Sequence, residues 1–184
     1  GIFQAVPSDD HGGKAACKAA LQERLGLKQD PNSPIIAGIS RLVGHKGFEL
    51  ICQAFNGIMD MDVQFVVLGT GEWGYEQFFR NAQNNFPGKV GANIMYSAPL
   101  STAIYSGADL FLMPSIAEPC GLSQMFAMRY GTVPVVRMTG GLLDSVPAFD
   151  PSTDTGLGFT FGSVAAGDMP GAPYRAGGLY SDDK

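Results

Sequence analysis

Short apolar runs alternate with segments of helical periodicity along most of this chain. Residues 34–40 are almost continuously apolar, which is typical of a strand buried on both faces of a sheet. In residues 47–58 the apolar positions Phe48, Ile51 and Phe55 recur with a helical period. The alternation continues and predicts further strands at 63–68, 90–96, 109–113, 132–136 and 156–161, and helices at 14–25, 72–85, 100–106, 121–130 and 140–146.

This order of elements predicts the fold class. Strands that alternate with short helices require a parallel sheet with helices on both faces, which is a doubly wound, Rossmann-like α/β domain. We expect that domain to span residues 1–163. Beyond it the pattern gives way to Gly, Ala and Pro, so residues 164–184 are predicted to form an irregular tail.

Composition narrows the function classes. Hydrophobic residues make up 45% of the 184 positions and charged residues 16%, a combination that excludes simple disorder and predicts that another body covers part of the surface. The net charge of −5 argues against nucleic acid or an anionic membrane as a partner. No apolar run is long enough to span a membrane. Because the first residue is Gly1 rather than methionine, we expect a fragment of a longer protein.

The cysteines indicate neither a disulfide framework nor a zinc site. There are three, Cys17, Cys52 and Cys120, and they form no C-x-x-C pair. We therefore predict reduced thiols in a cytosol-like compartment.

Basic and glycine-rich residues follow the predicted strands, where an open parallel sheet binds its ligands. Arg41 and Lys46 follow the first strand, and both side chains suit a phosphate, although a solvated surface pair is the alternative. Thr139, Gly140 and Gly141 open a predicted helix, whose free amides and dipole attract an anion. Together the two features predict a diphosphate site.

Two other motifs fit known sites less well. Residues 69–74 match G-x-G-x-x-G, but the dinucleotide fingerprint also needs an acidic residue about 20 positions on. No Asp or Glu occurs from Gln77 to Ala108. A dehydrogenase that binds NAD is therefore the least favoured of the three functions that the sequence suggests. Asp60 and Asp62 form a D-x-D motif before the second strand, on the edge away from the ligands, and are predicted to form a surface turn.

Glu118 follows the fourth strand and precedes a predicted helix. Its carboxylate could contact the hydroxyls of a sugar, or the positive charge that develops on an anomeric carbon. Alternatively, it stabilises the helix dipole as a capping carboxylate.

These residues lie in segments that resemble the bacterial glycogen synthase and plant starch synthase family. The resemblance extends over residues 14–161 and is carried by EPCGLSQ at 118–124, RYGTVPVVR at 129–137, TGGL at 139–142, ADLFLMPS at 108–115, and SRL at 40–42 with Lys46-Gly47. It implies the C-terminal, nucleotide-sugar domain of a two-domain, B-type glycosyltransferase. That family transfers glucose from ADP-glucose to the non-reducing end of an α-1,4-glucan, with retention and without a metal or other cofactor.

The resemblance also implies roles for individual residues. Arg41 and Lys46 would hold the diphosphate, Tyr96 would lie near the adenine, and Glu118 would contact the glucosyl group. Further substrate contacts would come from Cys120, Gly121, Leu122, Thr139, Gly140 and Gly141.

The expected partners are ADP-glucose or ADP, an α-1,4-glucan acceptor and a missing N-terminal domain, without nucleic acid or membrane. The location would be the bacterial cytoplasm, or the plastid in a plant. We expect the fragment to bind nucleotide without turning over. A non-catalytic nucleotide or sugar-nucleotide binding module of the same fold is the alternative, and the choice between ADP and UDP is open.

Overall fold

Six parallel strands form a single sheet in the computed structural model, which describes residues 11–115, 122–137 and 158–161. Their order across the sheet is β3-β2-β1-β4-β5-β6, and every neighbouring pair is parallel. The predicted doubly wound α/β fold is therefore confirmed. The strands are β1 (Ile35–Ile39), β2 (Gln64–Leu68), β3 (Val90–Asn93), β4 (Leu110–Met113), β5 (Val133–Arg137) and β6 (Phe159–Phe161).

Helices cover both faces of the sheet. They are α1 (His11–Leu25), α2 (Phe48–Met59), α3 (Trp73–Asn85), α4 (Ala98–Gly107) and α5 (Ser123–Arg129), with a 3₁₀ turn at Gly44–Lys46 before α2. Successive strand residues point to opposite faces, so Phe65 packs against α2 and α3 while Val66 packs against α1 and α4. The strands are buried between these layers, which explains their continuous apolar runs.

Aromatic rings fill the core on the α2 and α3 face. Phe55 lies edge-on to Phe65 with ring centroids 5.4 Å apart, and Phe65 stacks on Phe79 at 6.0 Å. Phe48, the first residue of α2, meets Phe79 edge-on at 5.9 Å. Each such pair stabilises the fold by about 0.5–1.5 kcal/mol beyond the free energy gained by burying the rings. They fix the start of α2 relative to the sheet.

A buried ion pair fixes α1 to the amino edge of the sheet. Lys18 Nζ lies 2.8 Å from Asp109 Oδ2, and the same oxygen accepts a hydrogen bond from Ile35 N. One turn away, Lys14 Nζ donates to Thr132 Oγ1 at 2.7 Å. Burial lowers the pKa of Lys14 to about 8, although the Asp109 carboxylate opposes that shift.

The described cysteines, Cys17 and Cys52, are not joined in a disulfide. Burial, with a smaller contribution from Glu49, raises the pKa of Cys52 to about 12, so its reactive thiolate is scarce at neutral pH. Among the described residues, no helix is both long and apolar enough to cross a membrane.

Some element boundaries differ from the predictions. β3 ends at Asn93 rather than at residue 96, and α4 begins at Ala98 rather than at 100. The cause is Ser97, whose hydroxyl oxygen accepts a hydrogen bond from Leu100 N and so caps the helix two residues early. The 3₁₀ turn was not predicted. The helix expected at 140–146, the boundary at 163 and the tail 164–184 lie outside the described residues.

Candidate functional site

The strand order reverses between β1 and β4, and an open cleft lies beyond the carboxyl ends of these strands. This is the switch point at which open α/β sheets bind ligands, because the loops that follow the two strands turn away from each other. The end of β1, the end of β4, and the starts of α2 and α5 line the cleft. The polar lining residues are Ser40, Lys46, Ser115 and Ser123.

Lys46 supplies positive charge to one wall of the cleft. It ends the 3₁₀ turn at Gly44–Lys46, where Gly47 N donates to Gly44 O at 2.9 Å, and α2 begins directly afterwards. The amino end of α2 also reaches the cleft, since Phe48 lines it. A helix amino terminus carries partial positive charge, so the ammonium and the helix dipole favour the same anionic ligand.

Gly47 allows the Lys46 turn to lie directly against the end of β4. Its φ of 81° is in the left-handed region, and a Cβ at this position would overlap the carbonyl of Pro114, which is itself a lining residue. Only glycine accommodates both the backbone conformation and the contact. The two walls of the cleft are therefore joined at this point.

The cleft does not include every predicted site residue. Arg41 lies on the same loop as Lys46, but its side chain is exposed and does not line the cleft. Tyr96 follows β3 and is 91% exposed; β3 is separated from β1 by β2, which places this ring away from the cleft. Among the predicted site residues that the structure describes, Lys46 and Leu122 both line the cleft.

The remaining predicted site residues lie outside the described part of the chain. They are Glu118, Cys120, Gly121, Thr139, Gly140 and Gly141. Their neighbours in sequence are informative, because Ser115 and Leu122, which flank residues 116–121, both line the cleft.

Three polar lining residues, Ser40, Ser115 and Ser123, and one unusual arginine were not predicted from the sequence. Ser40 ends the first predicted strand and Ser115 comes two residues after the fourth, so the strand-end rule that selected Arg41 could have found both. Arg137 ends β5, and its Nε and Nη1 atoms are buried with no hydrogen-bond partner among the described residues. Buried guanidinium nitrogens are costly without an acceptor, so Arg137 suits an anionic group at the carboxyl end of β5.

The D-x-D motif at 60–62 and the G-x-G-x-x-G motif at 69–74 both have structural explanations. Asp60 and Asp62 are exposed in a turn after α2, at the amino edge of the sheet, as predicted. Within the described ranges, no three His, Cys, Asp or Glu side chains form a group that could hold a metal ion. The glycines at 69 and 71 pack against the loop that follows β1.

Comparisons with known proteins match most of the chain to one family. The model of the family described as "Glycosyl transferases group 1" matches residues 22–166. The chain is 49% identical over 163 residues to a glycogen synthase of Geobacillus thermodenitrificans, covering 89% of this chain and 34% of that protein. It is 57% identical over 144 residues to a glycogen synthase of Kosmotoga olearia, covering 78% of this chain and 30% of that protein.

A solved structure resembles the chain over nearly its whole length. It is the catalytic domain of starch synthase IV from Arabidopsis thaliana bound to ADP and acarbose, with a TM-score of 0.88 and 37% identity. The match covers 97% of this chain and 38% of that one. The chain thus spans about a third of the length of these relatives.

Proposed function

Because the chain belongs to the glycosyl transferases group 1 family, we propose that it is the donor-binding half of a glucan synthase. The donor is ADP-glucose, and the acceptor is the non-reducing end of an α-1,4-glucan such as glycogen or starch. The observation that carries this proposal is the cleft between β1 and β4, with Lys46 and the amino end of α2 on its wall.

The diphosphate binds at the Lys46 wall. An ammonium group and a helix amino terminus both stabilise phosphate oxygens, and their effects add in a half-buried site. Arg41 lies on the same loop and supplies a second cation when the ligand is in place. The similar starch synthase structure holds ADP and acarbose, which supports an adenine nucleotide and a glucan here as well. The exposed ring of Tyr96 is then available to the base.

Glu118 acts at the sugar end of the donor. Both residues that flank its segment, Ser115 and Leu122, line the cleft, which supports a place for its carboxylate beside the transferred glucose. There it stabilises the oxocarbenium-like charge that develops as the bond to the anomeric carbon breaks. Backbone groups of Cys120, Gly121 and Leu122 contact the same sugar.

Thr139, Gly140 and Gly141 complete the phosphate site from the neighbouring strand. They follow Arg137, which ends β5 next to β4. Amide donors at this position would face the same ligand as Lys46.

A second domain provides the rest of the active site. The described lining residues leave the cleft open to solvent, and the chain spans about a third of the length of its relatives. Group transfer requires both reactants to be positioned and water to be excluded. The isolated chain therefore binds ADP weakly and transfers no glucose. We also propose a cytoplasmic location in a bacterium, or a plastid location in a plant.

Calorimetric titration of the chain with ADP tests the donor site. We expect Lys46→Ala and Arg41→Ala each to weaken binding about ten- to hundredfold, since a charged hydrogen bond contributes about 1.5–3 kcal/mol. Lys28→Ala is the matched control, because Lys28 is an exposed lysine near the start of β2, at the opposite edge of the sheet. Equal ADP affinities in all three variants and the original chain would disprove the site.

A turnover assay distinguishes a synthase from a non-catalytic binding module. Joined to its second domain, the synthase transfers labelled glucose from ADP-glucose to glycogen. The binding module takes up ADP with the same dependence on Lys46 and transfers nothing.

A further inference from the structure

The glycines of the loop after β2, residues 69–72, have a structural role that the dinucleotide motif does not explain. A Cβ on Gly69 would overlap the carbonyl of Ser40, and a Cβ on Gly71 would overlap the carbonyl of Leu42. Both glycines therefore permit direct backbone contact with the loop after β1, residues 40–47. That second loop carries Arg41 and Lys46.

Backbone hydrogen bonds join the two loops beyond the edge of the sheet. Leu42 N donates to Thr70 O at 3.0 Å, and Glu72 N donates to Leu42 O at 2.8 Å. Leu42 and Gly71 consequently form a parallel bridge outside the named strands. The β1–β2 pairing thus extends into the residues that precede the Lys46 turn.

The Glu72 side chain contacts the 3₁₀ turn that carries Lys46. Its Oε1 accepts a hydrogen bond from Gly44 N at 3.2 Å. Gly44 is the first residue of the 3₁₀ turn that Lys46 ends, and the first amides of such a turn have no partner within it. The carboxylate therefore holds the start of the turn in place.

We propose that Glu72 is a positioning residue for the diphosphate site, acting through Gly44 on the orientation of Lys46. The inference rests on the proposed function in one respect, namely that Lys46 binds the phosphates. Glu72 carries a negative charge near an anion site, so its Coulomb interaction with a diphosphate is unfavourable. Glu72 can therefore favour ADP binding only by holding the turn in place. Loss of that contact would weaken ADP binding, whereas loss of the negative charge would strengthen it.

Two substitutions separate these effects. Glu72→Ala removes the acceptor and the charge, whereas Glu72→Gln keeps an amide oxygen for Gly44 N and removes only the charge. By calorimetry we expect Glu72→Ala to bind ADP about fivefold more weakly, the equivalent of one net hydrogen bond of about 1 kcal/mol. We expect Glu72→Gln to bind as tightly as the original chain or more tightly. Glu23→Ala, which removes an exposed carboxylate on α1, should leave ADP binding unchanged.

Amide hydrogen exchange without ligand provides a second readout. Exchange at Gly44 should rise about fivefold in Glu72→Ala and stay near the original rate in Glu72→Gln, because opening of the turn then breaks one hydrogen bond fewer. A melting temperature within about 2 °C of the original would show that the fold is intact.

The outcomes distinguish this inference from the proposed function. If Lys46→Ala weakens ADP binding but Glu72→Ala binds ADP as tightly as Glu72→Gln, the positioning role is wrong and the donor site stands. If Gly44 exchange rises in Glu72→Ala while Lys46→Ala leaves ADP binding unchanged, the contact holds the turn but the donor site is wrong. Weaker binding in Glu72→Ala with recovery in Glu72→Gln supports both.

Discussion

Replacing Gly47 with alanine tests whether the close contact between the Lys46 turn and β4 stabilises the protein. The residue has a φ of 81°, and its missing Cβ makes room for the carbonyl of Pro114. Alanine would therefore meet two separate costs, a left-handed backbone conformation and an overlap with main-chain atoms. The overlap is hard to relieve because Pro114 directly follows the buried strand β4.

The two costs can be separated by a second glycine. Gly26 has a similar φ of 65°, yet nothing lies within 4 Å of the Cβ that alanine would add. Gly26→Ala therefore reports the backbone cost alone, about 1 kcal/mol. Gly47→Ala adds steric strain of about 1–3 kcal/mol against packed neighbours. We expect a total loss of about 3 kcal/mol for Gly47→Ala.

Urea denaturation followed by circular dichroism measures both free energies of unfolding. In thermal melts, about 3 kcal/mol corresponds to roughly 6–12 °C for a chain of this size, against about 2–4 °C for Gly26→Ala. We also expect weaker ADP binding in Gly47→Ala, because the overlap displaces Lys46 from the cleft wall.

Equal losses of stability in the two variants would refute this reasoning. The left-handed conformation would then account for the whole cost at Gly47, and the contact with Pro114 would be too loose to position the turn. A smaller loss in Gly47→Ala than in Gly26→Ala would contradict the contact itself.

Two further predictions concern Glu118 and Lys14. In the two-domain protein, Glu118→Gln should lower turnover about 10²–10³-fold, the scale of one lost electrostatic contact in the transition state, with ADP affinity within about threefold. Normal turnover with a lower melting temperature would instead indicate a helix cap. Burial lowers the pKa of Lys14 from 10.5 to about 8, so between these values the unfolded chain binds more protons than the folded chain, and stability rises with pH. From about pH 7 to about pH 9 the original chain should gain about 1 kcal/mol of unfolding free energy relative to Lys14→Met. Urea denaturation at both pH values checks this, and parallel pH profiles for the two proteins would contradict it.

The sequence by itself determined the order and type of the elements. Buried parallel strands are read as apolar runs and helices as a 3.6-residue period, and both patterns are local. The first strand, predicted at 34–40, is Ile35–Ile39, and the second, predicted at 63–68, is Gln64–Leu68. Because all strands are parallel, the rule that ligands bind at their carboxyl ends also selected Lys46, which lines the cleft. Leu122, which lines it as well, was expected from the family resemblance.

The tertiary structure alone decided which of those strand ends share a site. Strand order depends on pairings between distant segments, which local periodicity does not encode. The order β3-β2-β1-β4 opens the cleft between β1 and β4 and leaves Tyr96, beyond β3, two strands away from it. Likewise, only packing distinguishes Lys46 from Arg41 on one loop, and only the approach of Leu42 explains Gly71. A periodic pattern shows which face of an element is buried, whereas the contacts that build a site arise when separate elements meet.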